Sequence, residues 1–260
     1  MGCVMQDIRR QAIKELLLDR GSIMIAELTE RLGVSEMTVH RDLDVLQDEG
    51  FLTKKRGGAV LNEGQSAPDS GYRYDYVKSL YVKEKQAIAK TAVSLLGEGE
   101  TLIFDNSTTA CEVAKLLKHD HNMTVVATNP GVFNELSNST GITLYSSGGL
   151  YSMQTNSLVG SAAEDFVNRI RITTAIISAG CVSAEQGATE SYPSEAALKR
   201  KMIRKADRTL LLTVHNKLGS VGTERIAEWK DIGCLITDSK ADENELSEIR
   251  KQTKVIVCDV

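Results

Sequence analysis

No surplus of positive charge marks this 260-residue chain: 31 Lys and Arg stand against 35 Asp and Glu, a net charge of −4. Bulk attraction to nucleic acid is therefore no argument, and any DNA-binding reading must rest on where individual cations sit. Long apolar runs are also missing. No stretch of 18 consecutive apolar residues occurs, so no membrane-spanning helix is expected. Cysteine is scarce and scattered: Cys3, Cys111, Cys181, Cys234 and Cys258 form no CxxC pair. That spacing points to neither a zinc site nor a disulfide framework, and reduced thiols in a cytoplasmic protein are the expected state. The opening MGCVMQDIRRQ turns polar too early for a secretory signal, and Gln6 breaks the pattern a lipidated Gly2 needs. No fixed-period repeat and no cofactor motif is found. What remains is ordinary globular composition, 42% hydrophobic and 25% charged, enough for a core without metal or disulfide.

Residues 6–18 place Ile8, Ala12, Ile13, Leu16 and Leu17 on one helical stripe ended by Gly21. Residues 25–32 predict a second short helix closed by Gly33. Ser35 is a good N-cap for a third, running to about Asp48 before Gly50. Residues 51–61 read as two short strands around Gly57-Gly58, a small wing. A linker is expected over 62–79. From residue 80 the pattern alternates helix and strand to the end of the chain, with strands at 101–105, 123–129, 142–149, 173–180, 208–214, 234–238 and 254–258. Helices are expected over 83–96, 108–118, 131–138, 158–170, 194–206 and 243–252. Strands that are near-continuous apolar runs argue for a mostly parallel sheet covered by helices on both faces. The expected architecture is an all-α winged helix-turn-helix with a small β wing (1–61), a linker (62–79) and an α/β domain (80–260).

On the third helix Val39, Leu43 and Leu46 share one face, and Met37, His40, Arg41 and Asp44 the opposite one. An arginine fork near a helix N-terminus suits bidentate pairing with guanine in the major groove. The hydroxyls of Ser35 and Thr38, with the N–H groups of the helix start, suit phosphate. Lys54, Lys55 and Arg56 put three adjacent cations on the wing, where they can follow the sugar-phosphate backbone. Each piece alone is ordinary solvated surface; their order within 60 residues is what points to DNA. The candidate reading set is Ser35, Glu36, Met37, Thr38, His40, Arg41, Lys54, Lys55 and Arg56.

Residues 5–61 closely resemble the winged helix-turn-helix of the DeoR family of bacterial regulators. The resemblance is carried by Leu28, Leu32, Gly33, Val34, Ser35, Thr38, Val39, Arg41, Asp42, Leu43, Leu46, Gly50 and the wing's Arg56-Gly57-Gly58-Ala59. Two positions depart from it. His40 replaces an arginine, which exchanges a permanent cation for one that depends on pH. Met24 stands where the second helix usually has Ser or Thr, so a weaker cap is expected.

In the α/β domain, the first strand ends in Asp105-Asn106-Ser107-Thr108-Thr109 immediately before a helix. Ligands of open α/β sheets bind outside the carboxyl ends of strands, and helix N-termini bind phosphate; Ser and Thr there serve equally as helix caps. Thr128-Asn129 and Gly148-Gly149 follow the next two strands, and Lys217 lies just past the strand at 208–214. Together these suggest one shared crevice. Residues 80–260 resemble the DeoR-family effector domain, itself similar to ribose-5-phosphate isomerase. The matches include Lys83-Glu84, Ile88-Ala89, Gly99 through Thr109, Thr128-Asn129, Gly148-Gly149, Leu158-Val159-Gly160, Gly180, Gly187, Glu195, Lys217-Leu218-Gly219 and Ile236-Thr237-Asp238. The resemblance implies a phosphorylated sugar-like effector and adds Gly180 and Gly187 to the candidate set. Val214-His215-Asn216-Lys217 stands where the family shows Asp-Ser-Ser-Lys, and Asn106 where it has Ser or Gly, so an altered pocket is expected.

The leading expectation is a regulator, usually a repressor, with a double-stranded DNA operator and a phosphorylated metabolite as partners. A single winged helix reads few base pairs, so a homodimer or homotetramer is expected. An enzyme reading would draw acid–base chemistry from Asp105, Glu190, Glu195, His215 and Lys217, but leaves residues 1–61 without a purpose. A metal or redox sensor would draw on the cysteines or on His119 and His121, whose loop reads more simply as polar surface.

Overall fold

The computed structural model describes residues 6, 9–10, 12–14, 16–17, 20–62, 72–117 and 122–260. The chain divides into two compact units, Met1–Val77 and Lys78–Val260.

In the first unit the described residues between 6 and 20 are helical (α1). Gly21 ends this helix with φ 79°, its N–H bonding the Leu17 carbonyl at 2.8 Å. Strand β1 (Ser22–Met24) leads into α2 (Ile25–Leu32) and α3 (Glu36–Asp48), followed by the hairpin β2 (Leu52–Lys55) and β3 (Gly58–Leu61). Met24 caps α2 with no side-chain bond, as its apolar chemistry requires. Gly33 adopts the left-handed conformation that closes α2. β1 was not expected; at three residues it is too short for a period-2 signal. It adds to β3 in a sheet of order β1-β3-β2. At Gly58 any Cβ would lie 2.5 Å from the Ile23 carbonyl oxygen, so this pairing requires glycine. Ile13, Leu17, Leu28, Val39, Leu43, Leu46 and Leu52 fill the core. The expected linker is in part regular structure, because α4 (Tyr72–Ser79) occupies its second half.

The second unit begins with α5 (Val82–Ser94). The chain continues through β4 (Thr101–Phe104), α6 (Thr108–Leu116), β5 (Met123–Ala127), α7 (Pro130–Leu136) and β6 (Ile142–Ser146). A hairpin of β7 (Leu150–Ser152) and β8 (Ser157–Val159) precedes α8 (Ser161–Arg169) and β9 (Ile172–Ile177). A second hairpin, β10 (Cys181–Ser183) and β11 (Gly187–Glu190), precedes α9 (Pro193–Lys205) and β12 (Ala206–Leu212). Then follow β13 (Glu224–Ala227), β14 (Cys234–Asp238), α10 (Glu243–Arg250) and β15 (Lys254–Cys258).

Seven strands form one parallel sheet of order β15-β14-β12-β9-β4-β5-β6. Its five inner strands are largely buried on both faces, which explains their unbroken apolar runs. Ile103, Val126, Ala175, Ile177, Leu211 and Leu235 pack with Ala163 and Val167 of α8, Ala196 and Met202 of α9, and Leu246 of α10. The alternate residues, such as Leu102, Phe104, Val125 and Ile176, are equally buried and face the other way, where α5, α6 and α7 pack side by side. Leu158-Val159, expected to open a helix, instead belong to β8. Gly160, at φ 88°, turns the chain there, so α8 starts only at Ser161. β10, β11 and β13 form a separate antiparallel sheet that the apolar pattern did not announce.

Candidate DNA-reading face and effector crevice

On α3, Val39, Leu43 and Leu46 are fully buried, while Glu36, Met37, His40, Arg41 and Asp44 are exposed. Ser35 caps the helix: its hydroxyl accepts from the Thr38 N–H at 3.4 Å and lies 3.0 Å from the Thr38 hydroxyl. Both hydroxyls therefore sit at the exposed helix start beside the first-turn amides. Asp42, next to the exposed Arg41, turns inward. Its buried carboxylate accepts from Arg9 Nε at 2.5 Å and Arg10 Nε at 3.2 Å, clamping α1 onto α3. Sequence reasoning placed Asp42 in the motif but not in this role.

The wing divides its three cations. Lys54 Nζ pairs with Asp44 at 2.6 Å and its backbone N–H donates to Gln47 Oε1 at 2.9 Å. Lys54 thus fastens the wing to α3 and is partly neutralised, whereas Lys55 and Arg56 stay exposed at the hairpin tip.

In the second unit the strand order reverses between β4 and β9. The chain runs from β4 outward through β5 and β6, then returns to β9 on the other side of β4 and runs out through β12, β14 and β15. A crevice at the carboxyl ends of such a pair is the standard ligand position in open parallel sheets. Asp105 and Ser107 stand at the end of β4, and Ser178-Ala179-Gly180 at the end of β9. Asp105 joins them: Oδ2 accepts from the Ser178 N–H at 2.8 Å and Oδ1 from the Ser107 N–H at 3.0 Å. Asn129 braces the next strand end, donating to the Asp105 carbonyl at 2.6 Å and accepting from Val132 N–H at 2.9 Å to cap α7. Thr128 donates to the Phe104 carbonyl.

Ser107 caps α6 by accepting from the Ala110 N–H at 3.0 Å, so its hydroxyl serves the helix. The amides of Thr108 and Thr109 belong to the first turn, where no carbonyl four residues back is available; both side chains are buried. Asn106 is half-buried and donates to the Thr155 carbonyl at 3.2 Å. Lys217 reaches the same region, donating to the Ala179 carbonyl at 3.1 Å. Gly148 and Gly149 follow β6, and a Cβ on Gly149 would lie 2.5 Å from the Val159 carbonyl oxygen. Gly187 stands apart from the strand ends. It sits at the turn of the β10–β11 hairpin at φ 75°, where a Cβ would meet the Ala227 carbonyl oxygen at 2.3 Å. Backbone packing accounts for that glycine.

Beneath the crevice lies a buried charge cluster whose centre, Lys199, the sequence reading missed. Its Nζ is 2.8 Å from Glu190, 3.2 Å from Asp105 and 3.1 Å from the Ser178 carbonyl. Burial alone would lower the lysine's affinity for its proton, but Glu190, Asp105 and Glu195 outweigh it and hold the pKa above the ordinary value. Burial likewise pushes Glu190 up, yet Lys199 and the Ser191 amide bring it below the usual range. Glu195, hydrogen-bonded by Thr155 at 2.8 Å and by Ser157, is raised by burial. A signal was present: Glu195, Ala196, Leu198, Lys199, Met202 and Ile203 are the buried stripe of α9. A lysine on the apolar stripe of a helix needs a buried counter-charge.

His215 is set apart from these groups. Its Nδ1 lies 2.8 Å from Asp238 Oδ1, its N–H donates to Asp238 Oδ2 at 2.8 Å, and its ring meets Tyr81 edge-on at 5.2 Å. Burial raises Asp238, but the bonds from His215 hold it below its ordinary value. Asp105 and Glu190 therefore share a lysine, and His215 joins neither. Cys111, Cys181, Cys234 and Cys258 are buried, and none of them forms a disulfide. Among the described residues no group of three or more His, Cys, Asp or Glu is placed to hold a metal, and no helix is long and apolar enough to cross a membrane. His119, His121 and Cys3 lie outside the described residues.

Residues 9–65 match the family model for the DeoR-like helix-turn-helix domain, and residues 81–239 that for the DeoR C terminal sensor domain. The chain is 32% identical over 235 residues to the transcriptional repressor AccR of Agrobacterium fabrum, covering 89% of each chain. It is 31% identical over 252 residues to the HTH-type transcriptional regulator GlpR of Haloferax volcanii, covering 96% of each. It is 30% identical over 253 residues to the lactose phosphotransferase system repressor of Lactococcus lactis, covering 96% of this chain and 98% of that one. Reader and sensor thus match in one order along nearly the whole length of these relatives, and the chain belongs to the DeoR family of DNA-binding transcriptional regulators rather than to the enzymes.

Proposed function

We propose that this regulator represses genes of sugar metabolism and that a phosphorylated sugar-like effector, bound at the carboxyl ends of β4, β5, β6, β9 and β12, sets its grip on DNA. On this reading residues 1–61 read the operator, 62–79 join the units and 80–260 sense the effector. The observation that carries it is the Asp105–Ser178 bond at the reversal of strand order, which fixes the N-terminus of α6 beside a crevice that Lys217 also reaches. The phosphate meets the first-turn amides of Thr108 and Thr109 and the lysine, where helix dipole and cation both favour an anion. Asn106 and the backbone of Gly148, Gly149 and Gly180 line the remainder, while Asp105, Thr128 and Asn129 hold the strand ends in place. Similarity to the lactose phosphotransferase system repressor of Lactococcus lactis supports carbohydrate control.

On DNA, Met37, His40 and Arg41 face base edges with Glu36 beside them. Ser35, Thr38, Lys55 and Arg56 contact phosphates, and Lys54 acts mainly by holding the wing. Specificity from so small a reader requires a homodimer or homotetramer on paired half-sites, and the setting is the cytoplasm. Effector control means unequal affinity for the DNA-competent and DNA-incompetent states.

The test is fluorescence-anisotropy titration of the full chain against DNA from its own upstream region at two salt concentrations, repeated with a panel of sugar phosphates. Salt-sensitive, sequence-specific binding shifted by one sugar phosphate is expected. Absence of specific binding with every ligand overturns the proposal.

A further inference from the structure

We propose that the uncharged face built by β6 and the β7–β8 hairpin docks a second copy of this chain. The inference deepens the reading above, which requires an oligomer but does not say where the copies meet.

The two edges of the seven-stranded sheet are treated differently. β15 starts at Lys254, with Arg250 and Lys251 just before it and Asp259 just after. Charges on an edge strand are the usual defence against pairing with another chain. β6, the opposite edge, has none. No Asp, Glu, Lys, Arg or His occurs in the 28 residues from Leu136 to Ala163, although charged residues make up 25% of the chain. β6 pairs with β5 alone among the described strands.

The same stretch presents large apolar side chains to solvent. Leu150 is 73% and Met153 57% exposed, with Tyr145 and Tyr151 also exposed. Tyr145 rests against Phe166 of α8 at 6.0 Å between ring centres. Exposed leucine, methionine and tyrosine in one uncharged stretch of chain have the composition of an interface core, from which charged residues are depleted.

The chemistry of this face selects its occupant. A surface with no charged side chain offers no counter-charge to the phosphates of nucleic acid or of a lipid headgroup, and it would strip water from a charged partner without compensating it. Its complement is another uncharged strip with a free strand edge. A second copy supplies that strip, and a two-fold axis lying across β6 would pair the two edges antiparallel, satisfying both sets of backbone groups at once.

Sedimentation velocity of the full chain tests this over a concentration series, for the wild type, Leu150→Glu, Tyr145→Lys and Tyr145→Glu. Both positions are exposed, so unchanged circular dichroism and melting temperature serve as the folding control. The wild type is expected to be a dimer or larger. Each single variant is expected to weaken association at least about tenfold, because like charges are brought together across the axis. Mixing Tyr145→Lys with Tyr145→Glu is expected to restore it. A second readout needs no variant: amide exchange in residues 142–146 of the wild type should be slower above the dissociation constant than below it. A monomeric wild type overturns the proposal and leaves the face to a different neutral partner. So does an oligomer indifferent to all three variants with no concentration-dependent protection in β6. If the copies meet here but no DNA is bound, the regulatory reading fails while this inference stands. If DNA and effector bind while the variants leave assembly intact, the reverse holds.

Discussion

Replacing Lys199 by methionine removes the cation that Glu190 and Asp105 share at 2.8 and 3.2 Å in a fully buried site. Deleting one partner of a buried ion pair costs about 3–5 kcal/mol. Both carboxylates keep backbone partners, Ser191 for Glu190 and Ser107 and Ser178 for Asp105, so about 3 kcal/mol, the low end, applies. For a unit of this size each kcal/mol moves the melting temperature by about 2–4 °C, so the sensor should melt about 6–12 °C lower at pH 7.5. The pH dependence has a definite sign. In the wild type the folded pKa of Glu190 lies below its unfolded value, so its contribution is present above about pH 4.3 and lost as the pH falls through the folded value. Without Lys199, burial dominates and the folded pKa rises above the unfolded one. Stability is then lost as the pH rises through that raised value. The deficit of the variant should therefore be largest near pH 7.5 and shrink at pH 5, and Lys199→Met with Glu190→Gln should recover part of it. Differential scanning calorimetry of the three proteins at both pH values decides. A deficit that grows on acidification, or a variant that melts with the wild type at both pH values, would refute the buried-cluster argument.

Arg41→Ala should weaken specific DNA binding more than non-specific binding, whereas Lys55→Ala should weaken both and lower the salt slope by about one unit; anisotropy at several salt concentrations separates the two. Asp42→Asn removes the carboxylate that Arg9 and Arg10 share. Because both arginines are partly exposed, a loss of about 2 kcal/mol in the stability of the first unit is expected, read by thermal melting together with weaker operator binding. Gly149→Ala forces a side chain into a left-handed conformation against the Val159 carbonyl. It should destabilise the sensor by about 2 kcal/mol or more and weaken effector binding measured by calorimetry, while operator affinity without effector changes less.

The parts legible in the sequence are those whose signal repeats. Val39, Leu43 and Leu46 mark α3 by spacing, Ser35 and Gly33 mark its surroundings, and the apolar runs of the parallel sheet stand out because both faces are covered. Strands of three residues, such as β1 and β10, carry too few alternations to register. Lys54 reads as a free cation because its partner, Asp44, lies on another element. Lys199 is passed over in the sequence because a single lysine on a helix stands out little, although its place on the α9 stripe calls for a buried counter-charge. Leu158-Val159 is a case where two apolar residues fit a helix or a strand equally, and only the backbone at Gly160 decides.

The bond from Asp105 to Ser178 spans 73 residues of sequence, and this separation bears on how the protein is made. The first unit is closed by contacts among elements that all lie near one another in sequence, two short helices and a three-stranded sheet among them, which form quickly and early during synthesis. The sensor's central strand, β4, emerges long before β9, its partner on one side, and waits unpaired there while β5, β6 and the β7–β8 hairpin are translated. The crevice therefore cannot form before β9 emerges, and no fragment that stops short of β9 contains it. A ribosome-bound chain acquires its DNA reader before it can respond to a metabolite, and a chain truncated between the two events keeps the reader without the control.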